Sequence, residues 1–192
     1  MADVLLFHHA HGRTDGVLAF ADALRVAGHT VHVPDLYEGR TFAELDAGVA
    51  YARQIGFDAL VERGVAAAGA LADDMVYAGF SLGVLPAQTL AQTRPGAKGA
   101  LLFSACVPPF TLGSAWPQGV PVQIHGMDGD EIFVGDGDLD AARALVAAVD
   151  NGELFLYRGR GHLFADNSLS SYDEAAAGLL TARVLAFLGA VG

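Results

Sequence analysis

Cysteine is almost missing from this chain: among 192 residues there is one, Cys106. A lone thiol excludes an internal disulfide and leaves no cysteine pair at metal-ligand spacing. Charge is sparse too, at 17% of residues, and basic charge is the sparser kind, with 11 Lys and Arg against 22 Asp and Glu and a formal charge of -11. Such a surface repels phosphate backbones and anionic membranes, so neither nucleic acid nor membrane is an expected partner. The opening MADVLLFHHAHG has no basic leader, and its apolar run stops at His8 and His9. It reads as a first core strand rather than a signal peptide. No run approaches the roughly 18 apolar residues of a membrane span without a charge, Gly or Pro intervening. These absences together predict a cytoplasmic protein. No linker is rich in Pro, Gly or Ser and no repeat is present, so residues 1–192 are read as one domain.

What is abundant is apolar surface, at 53% of residues. It is distributed in six short β-branched runs: Val4 to His9, Thr30 to Pro34, Met75 to Phe80, Gly99 to Ser104, Val120 to Gly126 and Glu153 to Tyr157. They are mostly continuous rather than alternating, as strands are when helices dry both faces. Between them lie helical stripes. Val17, Phe20, Ala21, Leu24 and Ala27 form one, ended by Gly28; Phe57, Leu60, Val61, Val65, Ala68 and Leu71 form another. Leu139, Ala142, Leu145, Val146 and Val149 form a third, stopped by Asn151-Gly152, and Leu179, Leu180, Val184, Leu185 and Leu188 a last. Thr41 with Glu44, and Ser171 with Glu174, have capping-box spacing. Strands alternating with helices predict one parallel α/β sheet. The segment Val107 to Pro117, with three prolines, is an irregular excursion after a strand, near the carboxyl edge where ligands bind such sheets.

One motif carries chemistry. Gly79, Ser81 and Gly83 make G-x-S-x-G between a β-run and a helix. The two glycines let the chain fold back closely, so that the Ser81 hydroxyl is lifted above the sheet at a helix N-terminus and the N–H of Leu82 can face an oxyanion. A chain with 24 glycines produces this pattern by chance as well, as a turn whose serine only caps the helix. A serine nucleophile needs a base and the base an orienting acid, in the order Ser, acid, His for this arrangement. His162, on the Gly-rich loop RGRGH after the last β-run, is the candidate base; His125, at the end of a β-run, is read as packing beneath the site. The loop HGMDGDEIF offers Asp128 and Asp130 as the acid, and physics alone leaves both open; Asp138 has a rival role as a helix cap.

The loop after the first strand, His8-His-Ala-His-Gly-Arg13, should supply the second oxyanion donor, the N–H of Ala10. His9 or His11 is a candidate for the pocket wall and Arg13 for a contact to a substrate carboxylate; loop histidines without a part in turnover are the alternative. A metal is not expected, because His8 points away from His9 and His11 on an extended strand. Phe110 and Trp116, on the prolyl excursion, are further pocket candidates, with ordinary packing as the alternative. Cys106 is read as a small buried hydrophobe.

The opening strand with HHAHG, the stretch AGHTVHVPDLYEGRTF, YAGFSLG, HGMDGDEIFVGDGDLDAAR and RGRGHLFAD together resemble the dienelactone hydrolase family of α/β-hydrolases. The resemblance implies a single three-layer αβα domain with no cofactor, acting on a lactone or small ester. It places the nucleophile on Ser81 and the histidine on His162. The family acid stands five residues after the strand-ending histidine, which from His125 is Asp130. The better-known members use cysteine where Ser81 stands. Their glutamate against the nucleophile falls at His9, and their substrate-binding arginine at Asp166. The chain begins at what would be the family's third strand, so six parallel strands in the order 2-1-3-4-5-6 are expected. The expected activity is hydrolysis of a small carboxylic ester or lactone through Ser81, His162 and Asp130, by a monomer or homodimer. The alternatives are a non-catalytic binding protein on the same scaffold and, third, a hydrolase using a metal on the first-loop histidines.

Overall fold

Each apolar run forms a strand in the computed structural model, which describes residues 1–192. They are β1 (Asp3–Phe7), β2 (Thr30–His32), β3 (Val76–Phe80), β4 (Gly99–Phe103), β5 (Val122–Met127) and β6 (Gly152–Tyr157). All neighbours pair parallel, in the order β2-β1-β3-β4-β5-β6. This is the expected sheet. Parallel neighbours need a crossover, and the helices that make it cover both faces. They are α1 (Asp15–Val26), α2 (Leu45–Ile55), α3 (Phe57–Ala68), α4 (Val84–Thr93), α5 (Glu131–Gly135), α6 (Asp138–Ala148) and α7 (Glu174–Val191).

Strand pleating divides the core in two. Leu5 and Phe7 of β1 and Tyr77 of β3 join Leu60 of α3, Leu90 of α4 and Leu145 of α6 on one face. Val4, Leu6, Val76 and Ala78 join Phe20 and Leu24 of α1 and Leu180, Val184 and Leu188 of α7 on the other. Because consecutive side chains leave a strand on opposite sides, a run that is apolar throughout supplies both layers.

Helix starts differ from the capping patterns in the sequence. The α2 cap position is Glu44, which makes no side-chain bond, so Thr41 and Glu44 form no capping box. At α7 the Asp173 carboxylate, not Ser171, takes the N–H of Ala176. Asp is as good a cap as Ser, and the proposed box lay two residues too early. Asp138 is the first residue of α6 rather than its cap, and its Oδ1 accepts from Cys106 N–H at 2.7 Å. α7 is nonetheless long and apolar enough by composition to cross a membrane, with 18 residues of mean hydropathy 1.5, although Glu174, Gly178, Arg183 and Gly189 interrupt its apolar run as the sequence reading has it. Its Ala, Gly and Thr residues dilute the apolar signal in the sequence. Its Leu180, Val184 and Leu188 are buried against the sheet.

Candidate active site

β3 delivers Ser81. The strand ends at Phe80, Ser81 takes a left-handed φ of 47°, and a single 3-10 turn (Ser81–Gly83) leads into α4. A non-glycine residue at positive φ is strained and persists only where its surroundings hold it. Here they do. A Cβ on Gly79 would run into the Gly83 carbonyl, and one on Gly83 would lie 2.5 Å from the Phe7 carbonyl oxygen. Both glycines are therefore required by the close passage of strand, turn and β1.

Asp130 and His162 arrive from β5 and β6. The Ser81 hydroxyl donates to His162 Nε2 at 2.8 Å, and His162 Nδ1–H donates to Asp130 Oδ2 at 2.7 Å. Asp130 is 1% exposed, and its second oxygen caps α5 by accepting from Ile132 N–H at 3.0 Å. That second bond fixes the carboxylate plane, and hence the imidazole. Asp128 faces elsewhere and accepts from the Gly159 N–H at 3.2 Å. Of the two carboxylates that spacing left open, only Asp130 bonds to His162.

A cavity of about 310 Å³ opens over Ser81 and His162. Ala10, Leu82, Leu85, Ser104, Val107 and Asp138 line it. Ala10 is 2% exposed, and its backbone N–H has no carbonyl partner within the fold. An unpaired buried N–H facing a cavity is available to a ligand oxygen. Leu82 lies one residue past Ser81 in the same wall. Ser104, the residue after β4, also takes a left-handed φ, of 58°. Phe80 and Phe103 are register partners, so the two strained serines follow paired residues at the sheet edge. Burial pushes the Cys106 thiol up to about 12, helped by the Asp138 carboxylate, which keeps it protonated and unreactive.

Other pocket candidates lie elsewhere. His9 is fully buried, and His11 gives its Nδ1–H to the Phe42 carbonyl at 2.8 Å. Neither lines the cavity. Arg13 turns outward to the Val33 carbonyl and the Asp35 carboxylate. Phe110 and Trp116 line a different, adjoining cavity. The first loop is used for packing because its residues follow a buried strand and are pulled inward by their own hydrogen bonds. His8 accepts from Leu36 N–H through Nε2 and donates to the His9 carbonyl through Nδ1, and burial lowers its pKa to about 4. His125 gives Nε2–H to Gln123 and accepts the Tyr157 hydroxyl at Nδ1, with burial lowering its pKa to about 3. No group of three His, Cys, Asp or Glu side chains converges as metal ligands would.

A model of the dienelactone hydrolase family matches residues 2–192. The chain belongs to that family. Members of the dienelactone hydrolase family are hydrolytic enzymes, and solved structures similar to this one share its α/β-hydrolase fold. A candidate dienelactone hydrolase from Klebsiella pneumoniae subsp. pneumoniae superposes with a TM-score of 0.73 at 18% identity, over 98% of this chain and 87% of that one. A dienelactone hydrolase-like promiscuous phosphotriesterase from metagenomic libraries gives 0.72 at 15% identity, over 100% and 87%. A Xanthomonas campestris hydrolase of the α/β superfamily gives 0.63 at 20% identity, over 99% of each chain. At such identities the likeness is one of fold. No curated protein sequence matches the chain.

Within this dienelactone hydrolase family member, the two positions where the resemblance puts glutamate and arginine are joined to each other. His9 Nε2 lies 2.7 Å from Asp166 Oδ2. His9 Nδ1 accepts from His11 N–H, so the ring proton sits on Nε2 and is donated to Asp166. Burial holds the His9 pKa low. Asp166 stays ionised: burial opposes this, but bonds from His9, Ser168 and Thr14 outweigh it and hold its carboxyl near 2. Asp166 was missed as a structural centre because its partners lie 152 and 157 positions away in sequence, which no local pattern reveals.

Proposed function

We propose that this family member is a serine hydrolase cleaving a small carboxylic ester or lactone through an acyl-enzyme. The observation that carries this reading is the unbroken relay from Ser81 Oγ through His162 to Asp130, opening on a cavity. Nucleophile and base lie within hydrogen-bond reach, and the base is oriented by a third group, as covalent catalysis requires.

In the proposed cycle Ser81 Oγ attacks the substrate carbonyl while its proton passes to His162 Nε2. Asp130 holds the imidazole in the Nδ1–H tautomer and stabilises its cation. The N–H groups of Ala10 and Leu82 face the oxyanion of the tetrahedral intermediate. His162 then protonates the leaving alkoxide. It next takes a proton from water, which attacks the acyl-enzyme and releases the acid. The substrate is a small ester of mainly apolar surface, because Ala10, Val49, Leu82, Leu85 and Val107 dominate the cavity wall, with Arg53, Asp136 and Asp138 its charged lining residues.

The test is labelling by a fluorophosphonate probe alongside turnover of short p-nitrophenyl esters. Ser81→Ala should abolish labelling and lower kcat by about 10⁴-fold or more without changing the unfolding midpoint. Full turnover by folded Ser81→Ala protein rejects the reading.

A further inference from the structure

The prolyl excursion and α6 enclose a second cavity, of about 640 Å³, beside the one at Ser81. Its lining is dominated by Pro108, Phe110, Trp116, Ala144, Leu145 and Ala148. The two cavities meet on both banks. Val107 lines the first and Pro108 the second; Asp136 and Asp138 line the first and Gly137 the second. Consecutive residues stand about 3.8 Å apart, so the two cavities are neighbours across these segments, which the bond from Cys106 N–H to Asp138 Oδ1 ties together at 2.7 Å.

The loop that walls the second cavity is held in shape from below. Gln88, buried in α4, gives its amide N–H to the Val107 carbonyl at 2.7 Å and accepts the Val107 N–H at 3.2 Å. Gln92, one turn later, donates to the carbonyls of Pro109 at 3.0 Å and Ser114 at 2.8 Å. The Trp116 indole N–H is tied to the Val120 carbonyl at 2.8 Å, which fixes the ring in the wall. Phe110 is nonetheless 79% exposed. Two buried amides thus rigidify a loop that presents an aromatic ring to solvent, and a preformed apolar groove binds without an ordering cost.

The geometry points to this groove as the subsite for a hydrocarbon chain of the substrate, so that the preferred esters carry an unbranched aliphatic chain longer than the Ser81 cavity holds. The inference rests on the serine-hydrolase reading above. Its occupant is the substrate's own chain because the groove adjoins the Ser81 cavity at both Val107-Pro108 and Asp136 to Asp138. Asp136, Asp138 and Asp140 border the junction. They disfavour a free fatty acid anion there and favour the uncharged ester.

The test compares two series of soluble substrates below their micelle concentrations. In p-nitrophenyl alkanoates from acetate to decanoate the acyl side varies; in alkyl acetates the alcohol side does. One series should show kcat/KM level over the shortest chains and then rising about fourfold per methylene over several carbons; which series rises identifies the side. Ala144→Trp, at an exposed position on the groove wall, should flatten that rise and leave acetate turnover and Ser81 labelling unchanged. Phe110→Ala should lower the long-chain values severalfold by the same pattern. A level or falling profile in both series, or a rise that survives Ala144→Trp, overturns the inference while the acetate arm still tests the serine. If the protein is a dimer by light scattering that Ala144→Trp dissociates with no change in the chain-length profile, the groove is a contact between copies and the inference fails. Absence of both labelling and acetate turnover would instead strike the serine-hydrolase reading itself.

Discussion

A carboxylate with two oxygens can serve two elements, and Asp130 does. One oxygen orients His162 and the other caps α5. Asp130→Asn should keep the cap, since asparagine caps as well as aspartate, yet present the wrong group to the imidazole. The expected result is a fall in kcat of about 10⁴-fold with a nearly unchanged thermal midpoint. Asp130→Ala should lose the cap as well, at a further cost of about 1 kcal/mol in unfolding free energy. Asp128→Asn should leave turnover within about twofold, since its carboxylate meets only the Gly159 N–H. Measuring kcat and denaturant midpoint for the three variants separates the two duties of one side chain. An equal loss in Asp128→Asn would remove Asp130 from its assigned place.

Among elements, the strand-turn-helix unit from β3 to α4 has the least room. A methyl on Gly79 has nowhere to go but into the Gly83 carbonyl. Gly79→Ala should therefore cost about 2–3 kcal/mol or more and reduce fluorophosphonate labelling in whatever fraction remains folded; urea denaturation with labelling of the same samples checks both. Gly28→Ala offers a contrast. Nothing lies near its Cβ direction, but its φ of 93° disfavours any side chain, so a cost of about 1 kcal/mol with full labelling is expected. Elements of this kind were legible in the sequence because their causes are local. The six strands show as apolar runs since both faces are dry, and the G-x-S-x-G turn shows because close passage leaves only glycine. His125 followed by Asp130 pointed to the acid through the family pattern rather than through spacing alone. What stayed hidden depends on distant partners. His9 reads as a loop histidine until Asp166 is brought against it, and Phe110 and Trp116 read as pocket wall until Gln88 and Gln92 place their loop one cavity further out. The start of α7 differs because Ser171 and Asp173 compete for its cap, and the start of α2 differs because no side chain caps it at all.

Across the whole molecule, buried neutral histidines make stability depend on pH. His8 and His125 are held near 4 and 3 by burial, against 6.5 for an exposed ring. The unfolded chain takes up protons at both as pH falls below about 6.5, while the folded chain does not until pH approaches 4. Their contribution is complete above that upper value and is lost progressively on the way down, by about 3 kcal/mol for each ring once pH 4 is reached. Urea midpoints at pH 7.5 and 5.0 should fall in that direction, and His125→Gln should show a shallower dependence. A midpoint that rises toward pH 5 would contradict the buried, neutral assignment. Asp166 acts in a lower window, from about 3.8 down to about 2, where its protonation removes the bonds from His9, Thr14 and Ser168. The net charge of -11 adds a second global handle. Added salt should raise the thermal midpoint at pH 7.5, because screening weakens the repulsion among 22 acidic groups.

Gly16 sits so close to Asp166 that a Cβ there would occupy the space of the carboxylate itself. Positions 9, 14, 16 and 166 consequently behave as one heritable unit. A lone change at 166 strands the His9 ring and Thr14 hydroxyl, and a lone side chain at 16 evicts the acid they bind. Placing glutamate and arginine in the outer pair would therefore call for compensating changes at 14 and 16, each of which touches the Asp166 carboxylate.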